Sequence, residues 1–230
     1  PLPVWENADG KKRVVIGSLE TFRKYVKKSG NKYLVIRHGQ GENNATGIIH
    51  GKSNSGSFLT ELGRKQVRDI GHKLKGEKID LIISSPFERA KQTAEILAEE
   101  IGISKDAVLY DERIEEIHTG EFDGKTNDEY HAFFSPYTKL LTKRQKNGEN
   151  LLDVRRRAME FLYELETKYQ NKTILLSSHE YVAWMLWAGT FGWSESQIFE
   201  NKKEDFLRNA EYKELPFVPL PHNRDFELDY

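Results

Sequence analysis

Four residues that could do chemistry follow three apolar runs of strand length. Arg37 and His38 come directly after the first run, Arg89 stands a few residues beyond the second, and His179 follows the third after two serines. In α/β proteins, the carboxyl ends of parallel strands collect the groups that bind ligands. We therefore expect these four side chains to meet at one edge of a sheet.

Two arginines and two histidines suit a phosphoryl group. A guanidinium presents a fixed fork of donors that matches phosphate oxygens, so Arg37 and Arg89 are candidate phosphate ligands. A neutral histidine can attack phosphorus in line, and a second can donate to the transferring oxygens. Because the arginines neutralise charge that magnesium neutralises in other enzymes, we expect neither a metal ion nor another cofactor.

A fourth segment, "DERIEEIHTGEFDG", supplies two candidate proton donors, Glu115 and Glu116. A carboxylic acid whose pKa is raised by burial can protonate a leaving oxygen and then accept a proton from water. Asn44, in "GQGENN", adds an uncharged hydrogen-bond donor. The residue types alone leave the choice between the two glutamates open, and we interpret His118 as structural.

The elements that position these residues alternate along the chain. Apolar runs of strand length lie at 33–36, 79–83, 107–110 and 173–176, and helical patterns lie at 63–74, 86–97, 151–165 and 181–188. Thr60 is placed to cap the first helix, and Pro86 suits the first turn of the second. This alternation predicts a mostly parallel sheet covered by helices, which is an α/β fold.

The composition narrows the class of partner. The 230 residues suffice for one sizeable domain with arms, and a net charge of −1 indicates neither nucleic acid nor an anionic membrane. The chain contains no cysteine, no apolar run close to the roughly 20 residues of a membrane span, and no signal-peptide pattern at its start. We expect a cytoplasmic protein without a membrane partner. Because residue 1 is not Met, we expect it to be a cut end.

The motifs "LVIRHG", "LTELGRKQ", "IDLIISSPFERAKQTAEIL", "EEIHTGEFDG", "GENLLDVRRRAMEFL" and "TILLSSHE" together resemble the histidine phosphatase superfamily, in its phosphoglycerate-mutase-like branch. They occur in the family's order over about residues 32–190. The resemblance implies a three-layer α/β/α fold with His38 as the phosphorylated nucleophile. It also implies the following site residues: Arg37, Asn44, Arg89 and His179 in the phosphate pocket, and Glu116 as the proton donor.

Three positions depart from the family pattern. Gln40-Gly41 stand where the family commonly has Glu or His followed by Thr or Ser, and Glu180 stands where it usually has Gly or Ala. An acid at position 180 would disfavour a highly anionic substrate if it faced the pocket, and it would have no such effect if it pointed away. The departures bear on the substrate more than on the chemistry.

Both ends of the chain resemble a second family. "PLPVWENADGKKRVVIGSLETF" and "FVPLPHNRDFELD" are similar to neighbouring stretches of isoleucyl-type class Ia aminoacyl-tRNA synthetases. This resemblance implies a synthetase-like flank at 1–30, a phosphatase domain at 31–195 and a C-terminal helix and synthetase-like arm at 196–230. The domain would be inserted in a synthetase, with tRNA and the rest of that enzyme as partners. The alternative is that the arms are ordinary extensions of a phosphatase.

The sequence thus favours metal-independent hydrolysis of a small phosphorylated substrate through phospho-His38. The chain lacks the "HIGH" and "KMSKS" motifs of class I synthetases, so it cannot aminoacylate tRNA by itself. The segment between Glu116 and Gly148 is short, whereas a mutase needs walls that keep water from the phosphoenzyme, so a phosphatase is favoured. The alternatives are a catalytically silent module that shapes the synthetase or binds tRNA, and a phosphoglycerate mutase.

Overall fold

The computed structural model describes residues 4–6, 12–14, 29–51, 56–201 and 206–217. The secondary-structure elements, in chain order, are β1 (Val4–Glu6), β2 (Lys12–Val14), β3 (Lys32–Arg37), α1 (Glu42–Thr46), α2 (Glu61–Leu74), β4 (Leu81–Ser84), α3 (Glu88–Ile101), β5 (Leu109–Tyr110), α4 (Asn127–Phe133), α5 (Leu151–Lys168), β6 (Thr173–Ser178), α6 (Glu180–Phe191), α7 (Glu195–Glu200) and β7 (Tyr212–Leu215). Short 3-10 turns occupy Lys105–Ala107, Glu112–Ile114, Gly120–Phe122 and Tyr137–Leu141.

Five strands form the central sheet in the order β5-β4-β6-β3-β7. Strands β5, β4, β6 and β3 run parallel to one another, and β7 runs antiparallel to β3. Because β6 lies between β4 and β3, the carboxyl ends of the three strands with suspected chemistry are adjacent. The predicted α/β class with a mostly parallel sheet is confirmed.

Helices cover both faces of this sheet. Along β3, Leu34 and Ile36 pack into one apolar cluster, and Tyr33 and Val35 into the other, because successive strand residues point to opposite faces. The first cluster contains buried residues of α2 and α3, and the second contains those of α5 and α6. The core therefore has two halves, one on each side of the sheet, which is a three-layer α/β/α arrangement.

The helix ends show where local patterns predict well and where they do not. Thr60 caps α2 as predicted, since its hydroxyl accepts from Gly63 N at 3.0 Å. Pro86, however, precedes α3 instead of lying in its first turn. The Ser85 hydroxyl accepts from Phe87 N at 3.3 Å, and this local turn delays the start of α3 until Glu88.

Strand β7 lies beyond the predicted end of the phosphatase domain at residue 195. The sequence of Tyr212–Leu215 has no clear strand pattern, but its backbone pairs with β3 from Tyr33↔Leu215 to Ile36↔Tyr212. The tertiary partner, and not local preference, makes this segment a strand. The sheet therefore includes residues that the motif boundaries leave out.

The arms are described only in part. In the N-terminal arm, β1 and β2 pair antiparallel with Val4 opposite Val14. The other residues of 1–28, and those from 218 onward, lie outside the described residues, so the arm motifs are not tested there. In the described part of the chain, no helix combines the length and apolar character needed to cross a membrane.

Candidate active site

His38 is the first residue after β3 and is 1% exposed. Its Nδ1 lies 2.7 Å from the carbonyl oxygen of Gly39. A carbonyl can only accept, so Nδ1 carries the proton and Nε2 keeps a lone pair. That Nε2 accepts a hydrogen bond from Arg89 Nε at 3.1 Å. The backbone thus selects the tautomer in which Nε2 can act as a nucleophile.

Gly39 allows the loop after β3 to pack closely against the start of α2. A Cβ at Gly39 would lie 2.6 Å from the carbonyl oxygen of Gly63, and a Cβ at Gly63 would lie 2.1 Å from that of Gln40. Both distances are far below ordinary contact, so neither position can accept a side chain without displacement of the backbone. The glycine after His38 is therefore required by helix packing.

Arg89 lies in the first turn of α3 and is 2% exposed. Its guanidinium stacks over the Phe87 ring, with 4.9 Å from Cζ to the ring centroid, and its Nη1 donates to the His50 carbonyl at 3.4 Å. Burial lowers the pKa of Arg89 to about 10, which leaves the group charged at neutral pH. A fixed cation therefore lies against the Nε2 of His38.

Arg37, at the end of β3, is shared between two acceptors. Its Nη1 donates to the Leu207 carbonyl at 2.9 Å and forms an ion pair with Glu180. Glu180 is the first residue of α6 and lines the pocket together with Arg37. The question that the sequence left open at position 180 is thereby answered, because the acid faces the pocket.

His179 is fully buried beside His38, with 5.1 Å between their ring centroids. Its Nε2 lies 2.9 Å from the Ser85 hydroxyl, and its Nδ1 has no hydrogen-bond partner in the described residues. His179 is not among the residues that line the pocket. Burial, reinforced by the Arg89 charge, lowers the pKa of both histidines well below its ordinary value, so both are neutral.

The two candidate glutamates have different surroundings. Glu116 lines the pocket and accepts from Ile117 N at 2.9 Å. Burial raises the pKa of its carboxyl, and the negative charge of Glu180 acts in the same direction. Glu115 is buried outside the pocket lining and accepts from His118 Nε2 at 3.0 Å. The geometry therefore favours Glu116 as the acid that can reach a ligand.

Arg157 of α5 supports the backbone beneath these glutamates. Its guanidinium donates to the carbonyl oxygens of Arg113 at 2.8 Å, Glu115 at 2.7 Å and Glu116 at 3.2 Å. It also forms an ion pair with Glu149 at 2.8 Å. Sequence reasoning did not assign Arg157 a role, although it lies in the "GENLLDVRRRAMEFL" motif. It acts by orienting the segment that carries Glu116.

Asn44 is oriented by two donors to its side-chain oxygen. The Oδ1 accepts from Gly41 N at 3.0 Å and from Asn209 Nδ2 at 3.1 Å, which leaves the amide Nδ2 to donate to a ligand. Asn209 also donates to the His38 carbonyl at 3.3 Å. No local sequence signal marks Asn209, because its contacts depend on the pairing of β7 with β3.

Gln40 and Gly41 do not contact a ligand site directly. The Oε1 of Gln40 accepts from the Thr60 hydroxyl at 2.8 Å, and neither residue lines the pocket. A Cβ at Gly41 would lie 2.5 Å from Oδ1 of Asn43 and 3.2 Å from Cδ of Arg89, so this glycine leaves room for both side chains. The unusual dipeptide therefore affects loop packing more than ligand contact.

These side chains surround a pocket of about 170 Å³. Five of the six predicted site residues line it, namely Arg37, His38, Asn44, Arg89 and Glu116. Its other lining residues that sequence reasoning missed include His50, Thr119, Asn127, Tyr130, His131 and Tyr181. In the described ranges, no group of three or more His, Asp or Glu side chains could hold a metal ion. The pocket can hold a tetrahedral anion between two guanidiniums and the Nε2 of His38.

Known phosphatases and mutases are similar to this chain in sequence. The chain is 31% identical over 153 residues to phosphoserine phosphatase 1 of Hydrogenobacter thermophilus, covering 64% of this chain and 70% of that protein. It is 28% identical over 159 residues to a 2,3-bisphosphoglycerate-dependent phosphoglycerate mutase of Bartonella quintana, covering 65% and 76%.

Solved structures and a family profile extend the similarity. An Entamoeba histolytica phosphoserine phosphatase in complex with 3-phosphoglyceric acid superposes with a TM-score of 0.67 at 26% identity, covering 80% of this chain and 89% of that one. A mycobacterial glucosyl-3-phosphoglycerate phosphatase gives 0.68 at 25% identity, covering 80% and 88%. The profile of the histidine phosphatase superfamily, branch 1, matches residues 33–214, and the chain belongs to that family.

Proposed function

We propose that this protein hydrolyses small phosphomonoesters through a phosphohistidine formed on His38. The observation that carries the proposal is the lone pair of a buried, neutral His38 in a pocket that Arg37 and Arg89 also line. Substitution at phosphorus needs a nucleophile, cations that hold the equatorial oxygens, and an acid for the leaving oxygen. The pocket supplies candidates for all three.

In the first step, Arg89 Nε transfers its hydrogen bond from His38 Nε2 to a phosphoryl oxygen, and Nε2 attacks phosphorus while the bond to the ester oxygen breaks. Glu116 gives its proton to that oxygen, so the alcohol leaves uncharged. Arg37, Arg89 and the Asn44 amide hold the phosphoryl oxygens, and the unpartnered Nδ1 of His179 supports the proposal as a further group that can interact with them. Because the donors are held by protein contacts, they need little reorganisation during the reaction.

In the second step, water attacks the phosphorus of phospho-His38. The Glu116 carboxylate accepts a proton from the water, the N–P bond breaks, and inorganic phosphate leaves. His38 recovers its lone pair and Glu116 its proton, so the cycle is closed without a metal ion. The raised pKa of Glu116 suits both roles, because the carboxyl keeps its proton to higher pH than an ordinary glutamate and, once ionised, is a stronger base.

The test of this function is hydrolysis of p-nitrophenyl phosphate by the wild type and by His38→Ala. We expect turnover that EDTA does not reduce, and a loss of roughly a thousandfold or more in kcat/KM in the variant. A rapid quench into alkaline detergent with labelled substrate should trap an alkali-stable, acid-labile phosphoenzyme in the wild type and not in His38→Ala. His72→Ala is the matched control, because His72 lies at the protein surface and pairs with Glu100.

Two outcomes would favour other functions, and a third would exclude the proposed mechanism. If no phosphomonoester is turned over, the protein is a silent module of the same fold. Transfer of the phosphoryl group to 3-phosphoglycerate instead of water would indicate the mutase, whose relative is 28% identical. Product formation that EDTA abolishes would exclude the metal-free mechanism.

We further propose that the domain is inserted in an isoleucyl-tRNA synthetase, as the two arms suggest. Tyr33 at the start of β3 pairs with Leu215 at the end of β7, so the chain enters and leaves the sheet at neighbouring positions. Such close ends are what an insertion into another domain requires. In this arrangement tRNA and the rest of the synthetase are partners, and the protein acts in the cytoplasm.

The insertion proposal is tested by translating the gene on both sides of this segment. We expect the class I synthetase motifs on the two sides in one reading frame. A reading frame without them would show that the arms are extensions of a phosphatase.

A further inference from the structure

Few cations are available in the pocket to a substrate's leaving group. Arg89 lies beside the position of the transferring phosphoryl group, because its Nε contacts the Nε2 of His38, the proposed nucleophile, at 3.1 Å. Arg37 is already paired with Glu180 and donates to the Leu207 carbonyl. Among the described residues that line the pocket there is no lysine and no third arginine. The two arginines therefore serve one phosphoryl group, with little positive charge left for a second anion.

Glu180 is held where its negative charge can act on that leaving group. It follows His179 directly as the first residue of α6, and its side chain is 22% exposed while it pairs with Arg37. It shares the pocket with Glu116, the proposed acid, and the two carboxyls influence each other electrostatically. A leaving oxygen that receives a proton from Glu116 must lie near that carboxyl, so the group attached to this oxygen enters the field of Glu180.

We propose that Glu180 is a specificity-determining residue that selects phosphomonoesters by the charge of the leaving group. An ammonium group beside the ester oxygen is attracted by the Glu180 carboxylate, whereas a carboxylate or second phosphate is repelled and meets no lysine or third arginine among the described lining residues. A unit charge a few Å away in a partly solvated pocket changes affinity by roughly tenfold. This inference rests on the proposed phosphatase function and defines its substrate class.

Three two-carbon esters that differ in charge test the inference: ethanolamine phosphate, ethylene glycol phosphate and 2-phosphoglycolate. The wild type should show kcat/KM in the order ammonium, hydroxyl, carboxylate. In Glu180→Gln the ratio of the first to the last should fall roughly a hundredfold, because the two leaving groups differ by two unit charges. An effect of the substitution on Glu116 acts on all three esters and cancels in this ratio. Arg37, released from its ion pair with Glu180, favours the carboxylate ester and lowers the ratio in the same direction as the loss of the Glu180 charge.

Two further variants make the result specific. Glu61→Gln removes the same charge from a side chain that is 92% exposed and outside the pocket lining, and it should leave the ratio unchanged. Glu180→Ala, which keeps a good helix former in α6, provides a second test if the glutamine variant is unstable. Inhibition constants of the same esters against p-nitrophenyl phosphate should follow the same order.

The inference is overturned if the wild type treats the three esters alike, or if an active Glu180→Gln keeps the wild-type ratio. Either result leaves the phosphatase function intact, because turnover itself is observed. If neither these esters nor p-nitrophenyl phosphate is hydrolysed by the wild type, the proposed function fails and the inference fails with it.

Discussion

The pocket is built by two groups of residues that differ in origin and in hydrogen bonding. The first, the strand-end group, comes from strand ends and the helical turn after one of them: Arg37, His38 and Arg89. The second, the connection group, comes from the segments between strands: His50, Glu116, Thr119 and Tyr130. In the first group His38 and Arg89 contact each other, whereas in the second group the hydroxyls of Thr119 and Tyr130 have no hydrogen-bond partner among the described residues.

The hydrogen bonds show this difference for His38 and Arg89, whereas the buried Nε of Arg37 has no hydrogen-bond partner among the described residues. In the strand-end group, Arg89 donates to His38, and His38 donates to its neighbouring carbonyl. In the connection group, the buried Thr119 Oγ1 and Tyr130 hydroxyl have no hydrogen-bond partner among the described residues. Buried polar groups usually have partners, so such atoms in a pocket are candidates for ligand contact. The sheet thus holds the proposed nucleophile and the two arginines, and the connections hold the proposed acid, Glu116, together with candidate groups for recognition.

Replacement of Glu116 should have the largest effect in the connection group. It tests whether this group also takes part in the chemical step. Glu116→Gln should reduce kcat/KM by roughly a hundredfold or more with glycerol phosphate, whose leaving oxygen needs a proton. The loss should be much smaller with p-nitrophenyl phosphate, because p-nitrophenolate leaves without one. Since Glu116 must be protonated and its pKa is raised, wild-type activity should fall as pH rises through that pKa. The variant should lack this decline.

Glu115→Gln is the matched control for that experiment. Glu115 accepts from His118 and lies outside the pocket lining, so its replacement should not change the dependence on the leaving group. An equal loss with both substrates in Glu116→Gln would mean that Glu116 is not the proton donor.

An intermediate effect is expected where a distant segment supports the strand-end group. Asn209→Ala removes donors to the His38 carbonyl and to Asn44 Oδ1, and kcat should fall about tenfold because the reacting groups lose their alignment. Single-turnover phosphorylation should slow by the same factor while the thermal midpoint changes little. Asn201→Ala, outside the pocket lining, should leave both unchanged. An unaltered kcat in Asn209→Ala would show that β3 and α3 alone position the nucleophile.

The smallest expected effect concerns recognition. Tyr130→Phe removes a hydroxyl that has no protein partner in the described residues, so KM should rise about two- to tenfold with kcat unchanged. Tyr33→Phe is the control, since its hydroxyl donates to Glu166 outside the pocket lining. A fall in kcat without a change in KM would place Tyr130 among the residues that act in the chemical step. The strand-end group and the connection group would then not differ in function.

Much of the strand-end group could be predicted from sequence because its signals are local. An apolar run that ends in Arg37 and His38, or a strand followed by Arg89, is visible in a short window. Parallel sheets then bring such ends together by a general rule. The order of the motifs agrees with the family shown by the profile match.

Apart from Glu116, which the family resemblance implied as the proton donor, the connection group could not be predicted in this way. Thr119 and Tyr130 reach the pocket through turns and a short helix whose directions depend on packing against distant elements. The preference for Glu116 over Glu115 depends on which carboxyl enters the pocket, and adjacent residues in one motif carry no signal for that.

By itself, the sequence determined the α/β class, the residues suited to phosphoryl chemistry and the order of the elements that carry them. These depend on apolar periodicity and on residue type, which are properties of short segments. Only the tertiary structure decided that β7 joins the sheet, that Asn209 reaches the nucleophile loop and that Glu180 turns toward Arg37. Those contacts join residues more than a hundred positions apart, and burial and charge pairing at that range exist only once the chain has folded.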